Sequence, residues 1–110
     1  MSKAQVIHEL GPPSAMNWQD WHVPDPAPGE VRLRHTAVGV NFADTYHRGG
    51  ISHPWIVPPC PVIIGFEGLG IVESVGDGVN DFTTGDRVAY GITPLGSYSE
   101  VRNYPADKLL

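Results

Sequence analysis

The stretch Pro61–Val88, PVIIGFEGLGIVESVGDGVNDFTTGDRV, carries six glycines and sets one carboxylate, Glu67, among apolar runs where it is expected to be buried. Val62–Ile64, Leu69–Val75 and the run opening at Arg87 and reaching Tyr90 are rich in Val and Ile, the residues that fit a pleated, half-buried surface. Glycine interrupts them where the backbone must bend or another segment must approach closely. The stretch therefore reads as three strands joined by tight connections.

Composition carries this reading outward. A chain of 110 residues with 41% hydrophobic and 17% charged residues makes one domain, large enough to bury a core without staples. Thirteen glycines and eleven prolines favour strands and turns over helices. A net charge of −5, with seven scattered Lys and Arg, offers no basic face for nucleic acid. Cys60 is the single cysteine, so an internal disulfide and a Cys-rich zinc site are excluded, and a reducing, cytoplasmic setting is expected. Met1-Ser2-Lys3-Ala4-Gln5 has no signal-peptide character. No apolar run approaches the ~20 residues of a membrane span.

The rest of the chain is also mainly β. Gln5–Glu9 is a first strand, turned by Gly11-Pro12-Pro13, and Met16–Val23 a second, with Trp18 and Trp21. Pro24-Asp25-Pro26-Ala27-Pro28-Gly29 cannot enter a central strand and forms a surface connection. Glu30–Val40 alternates, with Val31, Leu33 and His35 on one face and Arg32, Arg34 and Thr36 on the other, as a half-buried strand does. Ile51–Pro61 holds four prolines and reads as an irregular loop, anchored by Trp55 or carrying it at its tip.

One short helix interrupts the strands. Asn41 stands where an N-cap would, before Phe42–Arg48, with Asp44 in the first turn and Gly49-Gly50 as the stop. Asp44 and Arg48, four apart, can pair on one face for about 0.3 kcal/mol.

Taken as patterns, these segments resemble one family. Gly65-Phe66-Glu67-Gly68, Gly70-Ile71-Val72, Val75-Gly76-Asp77-Gly78-Val79 and Gly85-Asp86-Arg87-Val88 are similar to the medium-chain dehydrogenase/reductases, in their zinc-free quinone oxidoreductase (zeta-crystallin-like) branch. Asn41-Phe42-Ala43-Asp44-Thr45-Tyr46-His47-Arg48-Gly49-Gly50, after Ala37-Val38-Gly39-Val40, resembles that branch's Asn-x-x-Asp-x-Tyr-x-Arg-x-Gly segment. Leu95-Gly96-Ser97-Tyr98-Ser99-Glu100 resembles a third family strand. Together the matches span about four fifths of the chain in family order, which makes the combination strong where each alone is weak.

The resemblance implies a GroES-like, partly open β-barrel with short helices over residues 1–110, the substrate-side domain of a longer enzyme. A Rossmann cofactor domain would follow it, because the glycines here lie in strand-like sequence and do not open a helix as a dinucleotide fingerprint does. The implied reaction is hydride transfer from NADPH to a quinone or activated alkene. The implied assembly is a homodimer of the full-length enzyme, and the isolated domain is expected to be inactive. Zinc-dependent members have a histidine ligand where this chain has Phe66, and a cysteine near Asn41 that is absent here, so no metal is expected. His8, His22, His35, His47 and His53 show no ligand spacing, and His47 and His53 are expected to be solvent-exposed.

The resemblance makes Asn41 and Arg48 catalytic candidates, and Asn41 and Tyr46 cofactor contacts. Each has a plainer reading beside it: Asn41 a helix cap, Tyr46 packing with a wet hydroxyl, Arg48 a solvated helix-end charge. Glu67 reads as a structural carboxylate bonded to backbone amides, and Asp86 as a turn residue. Other functions stay open: a non-catalytic GroES-like binding or adaptor barrel, a lens-type structural protein, or an enoyl/enal reductase of the same superfamily.

Overall fold

A computed structural model describes residues 2–49 and 59–110; the Trp55 loop and His53 lie outside the described residues. Among the described residues are strands β1 (Ser2–Ile7), β2 (Met16–Trp21), β3 (Glu30–Val38), β4 (Val62–Ile63), β5 (Gly68–Val75), β6 (Arg87–Tyr90) and β7 (Val101–Pro105) and, between β3 and β4 in sequence, one α-helix, α1 (Phe42–Gly49). The strands pair into two sheets. They form a three-stranded sheet, β2-β1-β4, and a four-stranded sheet, β6-β5-β3-β7, with every pairing antiparallel.

The alternation expected of β3 is what the strand uses. Val31 and Leu33 are fully buried, while Arg32 and Arg34 turn outward and share the carboxylate of Glu73, at 3.4 and 2.9 Å. Such surface pairs contribute about 0–1 kcal/mol, so the inward side holds the sheet. Val31, Leu33, Val72, Val88, Tyr90 and Tyr104 make the main buried cluster, with Val79, Phe82, Ala106 and Leu109 packed at its margin.

The two sheets do not close into a cylinder. The segment before β7 ties them together. Gln5 N–H donates to Tyr98 O at 2.9 Å and Glu100 N–H to Lys3 O at 2.9 Å, while His35 N–H donates to Glu100 O at 2.8 Å. Gly65 accepts from the N–H groups of Gly96 and Ser97 at 2.8 and 3.1 Å. Its φ of +95° and the closeness of the buried Ser97 side chain leave no room for a Cβ, which accounts for the glycine there.

The expected strands move at their ends: β1 runs Ser2–Ile7 rather than Gln5–Glu9, β2 stops at Trp21, β3 at Val38 and β4 at Ile63. Leu95–Glu100, expected as a strand, holds only the isolated bridge of Ser99 to Ala4, and the strand follows it at Val101–Pro105. The fold class stands: a mainly β, partly open barrel with a short helix.

Candidate functional site

The pairing of β3 with β5 creates the site. Val38 faces Gly68 at the end of the ladder, and Gly39 N–H continues it by donating to Glu67 O at 2.9 Å. The chain then turns through Asn41 into α1. Residues 26 apart in sequence thus meet, and Asn41 Nδ2 donates to Glu67 Oε2 at 2.9 Å. Gly39 permits this: a Cβ there would lie 2.6 Å from Glu67 Cδ and Oε2.

Two readings from the sequence change here. Glu67 is exposed rather than buried, and its carboxylate is bonded to a side chain rather than to backbone amides. Asn41 does not cap the helix with its side chain, which is committed to Glu67. Asp44 stabilises the N-terminus instead: its Oδ2 accepts from Asn41 N–H at 3.0 Å and from Tyr98 O–H at 2.7 Å. Asp44 is 2% exposed and is the buried carboxylate of the region. Burial raises the pKa of the Tyr98 phenol, and the bond to Asp44 and its charge add to this, so Tyr98 remains a donor.

Helix geometry separates the remaining candidates. Phe42 and Tyr46, four apart, share the outer face; they are 74% and 42% exposed, and their rings meet edge to face at 5.3 Å. Asp44 and Arg48 share the opposite face. They form no ion pair. Arg48 Nε donates to Gly11 O at 3.2 Å while Gly11 N–H donates to Arg48 O at 2.9 Å, clasping the helix to the β1–β2 connection. The structure therefore groups Asn41 with Glu67, sets Tyr46 on the outer helix face and turns Arg48 to the other.

Val38, Val40 and Leu69 are exposed beside this corner. An open groove of about 560 Å³, walled by Gly39, Glu67, Gly68, Leu69 and Ala89, runs away from it. The surroundings are mostly apolar, and among the described residues Glu67 is the one acidic or basic side chain on the groove wall.

A second polar cluster lies inside the four-stranded sheet. Arg102, 8% exposed, donates from Nη1 to Tyr90 Oη at 3.3 Å and from Nη2 to the carbonyls of Pro94 and Leu95 at 3.0 and 3.2 Å. Its guanidinium lies 5.1 and 4.9 Å from the ring centroids of Tyr90 and Tyr104, which stack at 4.2 Å. His35 completes the chain: Nδ1 meets Ser99 O at 2.8 Å and Nε2 meets Tyr90 Oη at 2.6 Å. A carbonyl can only accept, so Nδ1 carries the proton and Nε2 accepts from the phenol. Burial lowers the His35 pKa to about 4, the Ser99 bond opposes this and the Arg102 charge adds to it. His35 is thus half-buried and neutral, on the face of β3 that also carries Val31 and Leu33, whereas His47, expected to be exposed, is half-buried on α1.

The sequence reading missed this cluster and the Asn41–Glu67 bond, because both depend on strand register. Phe66 faces the His47 ring at 6.5 Å, edge to face. Among the described residues no three His, Cys, Asp or Glu side chains gather as a metal site, and no helix is long and apolar enough to cross a membrane.

Comparison with known proteins follows the same outline. Residues 27–110 match the family model of the alcohol dehydrogenase GroES-like domain. A 2-haloacrylate reductase from Burkholderia sp is 54% identical over all 110 residues, which cover 33% of that protein. The quinone oxidoreductase of Pseudomonas aeruginosa is 42% identical over the whole chain, again 33% of its own length. Among solved structures, a quinone oxidoreductase of Pseudomonas syringae pv. Tomato DC3000 aligns with a TM-score of 0.92 at 43% identity, over 100% of this chain and 33% of that one. Escherichia coli quinone oxidoreductase, crystallised with NADPH, aligns with a TM-score of 0.90 at 39% identity, over 98% and 32%. The chain spans about a third of the length of these relatives. By sequence and fold it belongs to the alcohol dehydrogenase GroES-like domain family, within the medium-chain dehydrogenase/reductases.

Proposed function

We propose that this chain is the substrate-side domain, residues 1–110, of an NADPH-dependent oxidoreductase that reduces a quinone or an activated alkene without zinc. The observation that carries the reading is the corner where Asn41, held by Glu67, stands between an apolar groove and the exposed Phe42–Tyr46 face of α1. Identity to quinone oxidoreductases and to a 2-haloacrylate reductase supports both acceptor types. Such acceptors are already electrophilic and require little Lewis-acid help. Phe66 supplies no ligand atom, in keeping with a zinc-independent reaction.

NADPH would supply the hydride, and its main binding domain would lie outside this chain. The glycines at 68 and 70 sit in β5 rather than at a helix N-terminus, so the chain offers side groups to the cofactor and no phosphate cradle. Asn41 and Tyr46 would touch the cofactor. The free N–H of Asn41 would stabilise the oxygen that gains charge, and Arg48 would contribute its positive charge from the far face of α1. Val38, Val40 and Leu69 would exclude water from the reacting pair.

The enzyme is read as a cytoplasmic homodimer. Steady-state kinetics of the complete enzyme with NADPH, a series of quinones, enals and 2-haloacrylate tests the function. Turnover with at least one class is expected, and no NADPH oxidation with any of them would overturn it. The 110-residue chain alone is expected to leave NADPH fluorescence unchanged on titration; saturable enhancement at micromolar chain would contradict the division of labour between domains.

A further inference from the structure

We infer that Glu67 is the positioning residue for Asn41: its carboxylate, seated over Gly39, holds the Nδ2 end of the amide and so fixes which atoms Asn41 presents to the cleft. The inference rests on the proposed role of Asn41 at the cleft and adds a residue to it.

Three observations converge. An ionised carboxylate accepts hydrogen bonds and donates none, so the 2.9 Å contact to Oε2 requires the NH2 end of the Asn41 amide there. The bond is charge-assisted and holds one of the two amide orientations. Among the described residues Asn41 Oδ1 has no hydrogen-bond partner, which leaves Oδ1 and the second N–H, in a set order, for a ligand.

The seat is built for the carboxylate. A Cβ on Gly39 would stand 2.6 Å from Cδ and Oε2 and 3.0 Å from Cγ of Glu67, so the acid lies directly over the glycine α-carbon. Gly39 has no positive φ that would call for glycine on conformational grounds. The space it leaves is what the position requires.

The Asn41 side chain is also released from its ordinary duty. Asp44 takes the Asn41 backbone N–H at 3.0 Å and is fixed in turn by Tyr98. The helix start is therefore held without the Asn41 amide, and the amide is free to be aimed by Glu67. An exposed acid at this place adds little to folding, which separates its effect on the reaction from an effect on the fold.

The test compares Asn41→Ala, Glu67→Ala, Glu67→Gln, Gly39→Ala and the Asn41→Ala/Glu67→Ala double variant in the complete enzyme, with NADPH and 1,4-benzoquinone. Asn41→Ala and Glu67→Ala should each lower kcat/KM about tenfold, with the double variant no worse than either. Gly39→Ala should match Glu67→Ala, because it displaces the acid without removing it. Glu67→Gln, whose Oε1 can still accept, should stay within about threefold of the wild type. A loss in Asn41→Ala with none in Glu67→Ala, or fully additive losses, overturns the inference and leaves the function intact. No loss in Asn41→Ala overturns the role of Asn41, and the inference with it.

A second readout needs no turnover. In 1H–15N spectra of the complete enzyme, the Asn41 side-chain N–H facing Glu67 should exchange slowly with solvent in the wild type and Glu67→Gln. It should exchange fast in Glu67→Ala and Gly39→Ala. Equal exchange in all four overturns the inference whatever the kinetics.

Discussion

The cluster around Arg102 and the corner around Asn41 use the same kinds of atoms under different constraints. Inside the sheet, Arg102 spends Nε on Asn103 O at 3.1 Å, Nη1 on Tyr90 and Nη2 on two carbonyls, and His35 has a partner on each ring nitrogen. Among the described residues no carboxylate pairs with the cation; carbonyl dipoles and two tyrosine faces surround it. At the corner, Asn41 and Glu67 make one bond and keep spare acceptors beside an apolar groove. A group that has given up water must find partners within the protein, whereas an exposed one can keep atoms in reserve. The first arrangement specifies a fold, and the second leaves something to bind with.

The largest effect that would break this contrast is loss of the buried cation. Arg102→Met should orphan the Pro94, Leu95 and Asn103 carbonyls and cost about 3 kcal/mol in urea unfolding. A loss well under about 1 kcal/mol would mean that solvent reaches the cluster and that it is no more architectural than the corner.

Asp44 stands between the two regions, buried like Arg102 yet holding the helix that carries Asn41. Asp44→Ala would leave the Asn41 N–H and Tyr98 O–H without their acceptor. The expected cost is about 2 kcal/mol, with fraying of the first turn of α1 in amide exchange. Stability and exchange unchanged from the wild type would show that the helix start does not depend on it.

A pH experiment sharpens the contrast at His35. Its folded pKa of about 4 lies below the ordinary 6.5, so between these values the unfolded chain binds the proton that the folded one refuses. The stability this burial contributes is fully present above about pH 6.5 and is lost as the pH falls toward 4. The wild type should therefore lose more stability across that window than His35→Gln does. Parallel curves would mean that His35 is as free to charge as a surface histidine.

How much of this was written plainly in the sequence depended on range. The alternation of β3, the glycine-punctuated strands from Val62 to Tyr90 and the helix after Asn41 are local patterns, and all appear within a residue or two of where they were read. The partners of polar groups are set by register, which is not local. Asn41 looks like a cap until β3 and β5 bring Glu67 to its side. Asp44 and Arg48 look like an i,i+4 pair until Tyr98 and Gly11, from distant segments, offer each a closer partner. His35 sits on the inward face of an alternating strand, a signal that it was half-buried. Nothing local indicated that Tyr90 and Ser99 would occupy both its nitrogens.

The smallest expected effect is the most discriminating. Glu67 is exposed and its one side-chain bond is at the surface, so Glu67→Ala should change unfolding stability by no more than about 0.5 kcal/mol. Arg102→Met should do the reverse, costing stability while leaving the Asn41 amide where it is. Chemical denaturation of both variants, read alongside Asn41 side-chain exchange, would place each residue on its own axis. If Glu67→Ala instead unfolded as readily as Arg102→Met, the corner would be part of the scaffold and its spare atoms an accident of the surface.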